Sequence, residues 1–175
     1  MTTLMIWLVP AAGATRDRLA TTIERLAAEH AAPRFPPHVT MVGTILSTEQ
    51  EAVRTLTALV AGVPPFDVNL RSVGYEQAYF RALFLRADPS PQLTSLHEAG
   101  QRAWALNLPP YQPHLSLLYT DIAAERKQQI IDTIGLRLPL TIRIDAGELW
   151  ADDGQGVVSW RRVARVPLLA LPESR

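Results

Sequence analysis

Two stretches of this chain could do chemistry together. Pro37-His38-Val39-Thr40-Met41-Val42 and Pro113-His114-Leu115-Ser116-Leu117-Leu118 share the pattern Pro-His-Φ-[Ser/Thr]-Φ-Φ, where Φ is apolar. On a strand, residues i and i+2 point to one face. His38 therefore shares a face with Thr40, and His114 with Ser116, while Val39, Met41, Leu115 and Leu117 point into a core. Imidazole titrates near neutral pH, so one ring can be neutral while another is protonated in the same molecule. That pairing is what a concerted general base and general acid need on opposite sides of one reacting centre. The hydroxyls offer neutral donors to non-bridging oxygens, and a phosphodiester suits such a site. Imidazoles lining a wet cleft are expected to carry little packing.

Other chemistries fit less well. First-row metals take three or four ligands, and neither motif has a neighbouring Asp, Glu or further His in ligand spacing. No GxSxG, P-loop or GxGxxG is present, and the absence of Cys excludes disulfides and a thiolate nucleophile. No metal and no cofactor are expected. A single strand histidine is usually structural; repetition of the whole motif is what singles out His38 and His114. His30 sits near a helix C-terminus, where the dipole favours a cation, and His97 falls on a mid-helix face expected to be solvated. Neither is given a role.

The elements that must position these motifs follow from periodicity. Leu4–Val9 reads as a buried strand and Arg16–His30 as an amphipathic helix, stopped by Pro33, Pro36 and Pro37. His38–Thr44 reads as a strand, followed by a helix that Ser47 or Thr48 caps, and then a strand over Phe66–Val73. The order then restarts. Phe80–Ala87 is a strand, Pro91–Leu106 a helix, Pro113–Tyr119 a strand, and a helix capped by Asp121 runs to about Ile134. The alternating run Leu138–Ile144 is a half-buried strand, and Val157–Val166 returns as a hairpin partner after a turn at 152–156.

His38 and His114 lie 76 positions apart, and residues 4–44 slide onto 80–120 without a gap. Pro33 meets Pro109, Phe35 meets Tyr111, Pro37 meets Pro113, Thr40 meets Ser116 and Thr44 meets Thr120. This predicts two β-α-β-α-β units facing each other across a pseudo-two-fold cleft. The fold class is α+β, with largely antiparallel sheets and a central cleft. We expect one bilobed domain over 1–175, with repeats of about 1–76 and 77–175.

Composition bounds the partners. The 175 residues carry 17 Lys+Arg against 17 Asp+Glu, so no global field draws in long nucleic acid. Arg dominates the basic residues, with Lys127 the single Lys, and that skew is given no functional weight. No apolar run is long enough to span a membrane, and Met1–Pro10 lacks the basic start of a signal peptide. The chain is expected to be a soluble, cytoplasmic monomer acting on a small nucleotide, with RNA ends as the other substrate class.

Paired His-Φ-[Ser/Thr]-Φ motifs in a duplicated chain of this size resemble the two-histidine phosphoesterase superfamily. The flanks from Phe35 to Gly43 and from Tyr111 to Tyr119 look most like its cyclic phosphodiesterase branch of plants and fungi, several plant members of which contain Cys where this chain has none. The resemblance implies metal-free hydrolysis of a ribose cyclic phosphate, either ADP-ribose 1″,2″-cyclic phosphate or a nucleoside 2′,3′-cyclic phosphate. The alternatives are action on RNA 2′,3′-cyclic ends, as in the RNA ligase-like branch, and a non-catalytic module that binds such phosphates. It also implies that His38 and His114 are the base/acid pair in unassigned order, and that Thr40 and Ser116 hold the phosphate. Tyr119, five residues after His114, is implied near the phosphate, although an undistorted strand would point it away; a bulge is needed. Tyr111, Phe35, Tyr79, Trp150 and Trp160 are aromatic candidates for stacking a base, with packing the competing role.

Overall fold

The computed structural model describes residues 1–170. The elements are β1 (Thr2–Pro10), α1 (Ala14–Glu29), β2 (Val39–Ser47), α2 (Glu49–Val60), β3 (Ala61–Gly62), β4 (Phe66–Gly74), β5 (Leu83–Ala87), α3 (Pro91–Ala103), β6 (His114–Leu118), α4 (Ala124–Thr133), β7 (Leu140–Asp152), β8 (Trp160–Pro167) and β9 (Leu169–Ala170). Apart from the two-residue β3 and β9, the order is β-α-β-α-β twice, followed by β8.

The strands run β1-β2-β6-β5-β4-β7-β8, all antiparallel, and a further β1–β7 pairing closes six of them into a ring. Each unit lends its third strand to the other. β4 pairs with β5 of the second unit, and β7 pairs with β1 of the first. β7 serves both lobes: Leu140–Ile144 lies on β4, and Ile144–Asp152 lies on β1. Most buried apolar side chains of both halves form one continuous cluster, while Trp7, Val9 and Ala146 form a second, small one. At the cleft, β2 and β6 meet through the single pair Val39↔Leu115, both fully buried.

Several boundaries differ from the sequence reading, each for a local reason. The fifth strand starts at Leu83, not Phe80, because Tyr79–Arg81 forms a 3-10 turn. Asp121 does not cap α4; the N-cap is Ala123, without a side-chain bond. Thr48, by contrast, accepts from Glu51 N–H as an N-cap should. α3 ends at Ala103, short of Leu106. The strand read at Leu138–Ile144 continues to Asp152, and a 3-10 turn over Gly156–Ser159 delays its partner to Trp160. Residues 171–175 lie outside the described residues.

The duplication holds, but not without gaps. Trp7 pairs with Thr40 and Phe84 pairs with Ser116, so the first strands correspond at 77 positions, one more than the histidines. α1 has 16 residues and α3 has 13. Both end in the same way: Ala31 and Ala105 adopt φ of 48° and 49°. Beyond them Ala32 N–H donates to Ala27 O, and Leu106 N–H to Gln101 O, each at 2.9 Å. These are Schellman closures, with alanine in the left-handed position that glycine usually takes. A longer connection before His114 offsets most of the shorter helix, which is why the two motifs align although their flanks slip.

Leu115 is the seam between the lobes. Leu115→Ala is expected to cost roughly 2–5 kcal/mol, as buried Leu truncations do, and urea unfolding would measure it.

Candidate active site

The local chain explains how each histidine is aimed. A residue preceding proline is restricted to extended backbone, and both Pro36 and Gln112 precede the proline of a motif. Their carbonyls accept from the ring two residues on: His38 Nδ1–H to Pro36 O at 2.7 Å, and His114 Nδ1–H to Gln112 O at 2.8 Å. With the proton fixed on Nδ1, Nε2 is the acceptor in each neutral ring.

The strands then carry the same irregularity. In β2, Trp7 pairs with Thr40 and Ile6 with Val42, leaving Met41 extra; in β6, Phe84 pairs with Ser116 and Leu83 with Leu118, leaving Leu117 extra. Such a bulge shifts the side-chain phase by one. Met41-Val42 and Leu117-Leu118 both enter the core as consecutive pairs, and the next residue returns to the cleft. That residue is Gly43 in the first copy and Tyr119 in the second. The odd spacing of Tyr119 from His114 is thereby accounted for.

One cavity of about 360 Å³ is lined by His38, Thr40, His114, Ser116 and Tyr119, and also by Trp7, Arg81, Phe80, Asp152 and Trp160. The structure thus brings together both imidazoles, both hydroxyls and the phenol. Tyr111 lies elsewhere. It lines a neighbouring cavity of about 390 Å³, donates its hydroxyl to Thr40 O at 3.0 Å and stacks on His97 at 3.9 Å. Phe35 is buried and stacks on Tyr119, while Trp150 stacks on Trp7 and donates to Glu148. Of the aromatic candidates other than Tyr119, only Trp160 reaches the histidine cavity; Phe80, not proposed from the sequence, joins it at 51% exposure.

The two histidines are not equivalent. His38 is 2% exposed and lies flat against Trp7, with centroids 3.7 Å apart and planes 10° from parallel. It is a packed side chain, contrary to the expectation of little packing, because the apolar run of β1 has Trp7 on its cleft face and Leu4, Ile6 and Leu8 on its core face. Burial, opposed by the Pro36 carbonyl and reinforced by His114, pushes its pKa down to about 4. His114 is partly exposed and meets Phe84 edge-on at 5.2 Å. Burial lowers its pKa as well; Arg81 adds to that, and the Gln112 carbonyl and Glu76 oppose it. Burial raises the Tyr119 phenol, keeping it a neutral donor.

His97 is buried rather than solvated. Its Nδ1 meets Met41 O at 2.6 Å and its Nε2 meets Gln101 Nε2 at 2.6 Å, so it ties α3 to β2. Among the described residues no group of three or more His, Asp or Glu side chains is placed to hold a metal ion. No helix among them is long and apolar enough to cross a membrane.

A family model described as the 2′-5′ RNA ligase superfamily matches residues 11–156. The chain belongs to that superfamily of two-histidine phosphoesterases. A cyclic phosphodiesterase of Arabidopsis thaliana is 27% identical over 124 residues, covering 70% of this chain and 68% of the relative. A 2′,3′-cyclic-nucleotide 3′-phosphodiesterase of Yarrowia lipolytica is 28% identical over 159 residues, covering 67% and 73%. Among solved structures, E. coli LigT complexed with 3′-AMP superposes with a TM-score of 0.63 at 19% identity, over 95% of this chain and 98% of that one. TT0787 of Thermus thermophilus gives 0.65 at 15% identity, over 96% and 98%. At those identities the structures speak for the shared fold.

The cleft residues that sequence reasoning missed include Trp7, Phe80 and Arg81. Trp7 sat inside a run that reads as core throughout, and its only signal was its lone bulk in the first strand. Phe80 and Arg81 were assigned to a strand, where alternation says nothing about a turn.

The buried neutral His38 has a consequence for stability. Its folded pKa lies below its unfolded value near 6.5, so the unfolded chain binds its proton first as pH falls. The contribution is whole above about pH 6.5 and is lost towards pH 4, up to about 3 kcal/mol. Comparing urea midpoints at pH 7 and 4.5, wild type should lose more stability than His38→Asn. An equal loss in both would show that the ring does not titrate in this way.

Proposed function

We propose that this chain is a metal-independent cyclic phosphodiesterase, opening a ribose cyclic phosphate to a monophosphate with two histidines. Its substrates would be ADP-ribose 1″,2″-cyclic phosphate, giving the 1″-phosphate, or a nucleoside 2′,3′-cyclic phosphate, giving the 2′-phosphate. The observation that carries the reading is the pair of imidazoles, each fixed through Nδ1 to a carbonyl two residues upstream, on one cavity with two hydroxyls. The relatives named as cyclic phosphodiesterases support the reaction class.

The asymmetry of burial supports an assignment of roles. His38, neutral and packed against Trp7, takes a proton from water as that water attacks phosphorus. The bond from phosphorus to one ribose oxygen breaks, and His114, protonated on Nε2, gives its proton to the leaving oxygen. The phosphate anion between the rings favours that proton on His114. Thr40 and Ser116 hydroxyls, with the Tyr119 phenol, donate to the non-bridging oxygens, whose charge grows as water adds.

A small substrate is favoured over long RNA. Arg25, Arg71, Arg102, Arg143, Arg161, Arg162 and Arg165 each pair with a carboxylate. Among the described residues Arg81 is the one arginine lining the histidine cavity, and a single cation suits one phosphate group better than the run of phosphates in a polynucleotide.

Hydrolysis of the two substrates side by side in EDTA, with the product phosphate located by phosphorus NMR, tests the reading. Turnover to a 1″- or 2′-monophosphate is the expected result; full inhibition by the chelator, or no turnover of either, would overturn it. His38→Ala and His114→Ala should each lower kcat by ~100- to 10,000-fold, and activity unchanged in either variant would remove the mechanism.

The pH profile follows from the two environments. His38 must be neutral, so kcat/KM rises with pH through its pKa of about 4. His114 must be protonated, so kcat/KM falls through a pKa held below 6.5. The optimum for the free enzyme should therefore lie on the acid side of neutrality, and initial rates at subsaturating substrate would locate it.

A further inference from the structure

Arg81 lies where the two cavities meet: it lines the histidine cavity and the neighbouring one, which share Thr40, Gly43 and His114. Its Nη2 donates to Glu76 Oε1 at 2.6 Å and to Gln112 Oε1 at 3.1 Å. Its Nε is covered and has no partner, an orphaned donor of the kind that is rare in folded proteins. Its Cζ sits 4.9 Å from the centre of the Phe84 ring, the same ring that meets His114 edge-on.

The segment bearing Arg81 is held with unusual care for a turn. Arg81 N–H donates to Ala78 O at 3.0 Å, and Glu76 N–H donates to Arg81 O at 2.9 Å. Lys127 is only 1% exposed, and its Nζ donates to Glu76 O at 2.7 Å and Gln77 Oε1 at 3.3 Å. A buried lysine is costly unless its donors are filled, and these two bonds are made to the loop that carries Glu76. Gln112 adds a second tether, because its side chain takes the guanidinium while its carbonyl takes His114 Nδ1–H. Cation and imidazole are thus positioned by one residue.

Stability alone gives little reason for this arrangement, since the Arg81–Glu76 pair is partly solvated, at 25% and 43% side-chain exposure, and such pairs contribute little. An anionic substrate gives a reason. The cavity also holds Asp152, so one imidazolium, one neutral imidazole and the hydroxyls leave no net positive charge to balance a phosphodiester stripped of water. A guanidinium offers planar paired donors that suit phosphate oxygens.

We propose that Arg81 anchors the phosphate in this cleft, giving up part of its bond to Glu76 for a non-bridging oxygen while Gln112 keeps it beside His114. The identity of the phosphate as a cyclic phosphodiester rests on the reading above; the binding of an anion by Arg81 does not. Neutralising Arg81 with that anion also removes a charge that opposes protonation of His114. Arrival of the substrate therefore helps place the proton the leaving oxygen needs.

The test uses inorganic phosphate as the probe and the His114 ring resonances as the readout, alongside kinetics. Arg81→Gln should weaken phosphate binding and raise KM for the cyclic phosphate by ~10-fold or more, with a smaller effect on kcat, and Arg81→Lys should restore part of the loss. His114 in the phosphate-free Arg81→Gln protein should titrate at higher pH than in wild type. Glu76→Gln should tighten phosphate binding, whereas a merely structural ion pair predicts the same loss from either side. Unchanged phosphate affinity and KM in Arg81→Gln would overturn the proposal and leave the phosphodiesterase reading standing. Phosphate bound through Arg81 by a wild type that turns over no cyclic phosphate would do the reverse.

Discussion

The bond from each imidazole Nδ1–H to the carbonyl two residues upstream is the contact on which the rest of the cleft depends, because it leaves Nε2 as the ring atom that faces a ligand. It exists because of the proline between them. Proline restricts the preceding residue to extended backbone, which aims that residue's carbonyl at the ring. The same device serves Pro36-Pro37-His38 and Gln112-Pro113-His114. It fixes a tautomer without a carboxylate hydrogen-bonded to either ring. Each ring is left to take the protonation state that its burial and its neighbours dictate.

From that shared device the two sides diverge through what lies over each ring. Above His38 is Trp7, above Trp7 is Trp150 at 4.3 Å, and Trp150 Nε1 donates to Glu148, which is buried and paired with Arg162. This stack excludes water and holds His38 neutral. Beside His114 are the smaller Phe84 ring, the guanidinium of Arg81 and the carboxylate of Glu76. A duplicated fold has in this way produced two unlike titrating groups by changing the neighbours and keeping the motif. Acid and base work at one phosphorus requires such a difference.

The sequence motifs made the local part of the site legible. His38, Thr40, His114 and Ser116 could be placed on a common face because alternation on a strand is a short-range rule. It fails where the rule does: bulges at Met41 and Leu117 turn the phase, so Gly43 and Tyr119 reach the cleft against simple alternation. Long-range contacts left no local trace. Nothing in Leu4–Val9 distinguishes a tryptophan that covers a histidine from one that fills a core. Arg81 is one of many dispersed arginines until the turn at 79–81 and Gln112 bring it beside His114. His97 has the pattern of a solvated helical position, yet it is buried because α3 lies so close to β2. A Cβ on Gly100 would stand 3.0 Å from a Val42 methyl. The ungapped repeat misled for a related reason, since the shortened α3 and the longer connection before His114 nearly cancel along the chain while the paired strands keep their own register.

The strand exchange sets where the cleft can yield. Because β4 completes the second lobe and β7 completes the first, the lobes are joined by continuous ladders along β1–β7 and β4–β7. On the opposite side of the ring, β2 and β6 are paired only at Val39↔Leu115. That pair is adjacent in sequence to both histidines. Separation of the lobes at this seam would change the spacing of the two imidazoles before it disturbed any other pairing, since local opening follows the least hydrogen-bonded boundary. Ring closure opposes such separation, because widening the seam must strain the longer ladders opposite. The histidines are thus held apart at a distance set by the ladders along β7 on the far side of the ring, and the thinnest part of the sheet is the part next to both imidazoles.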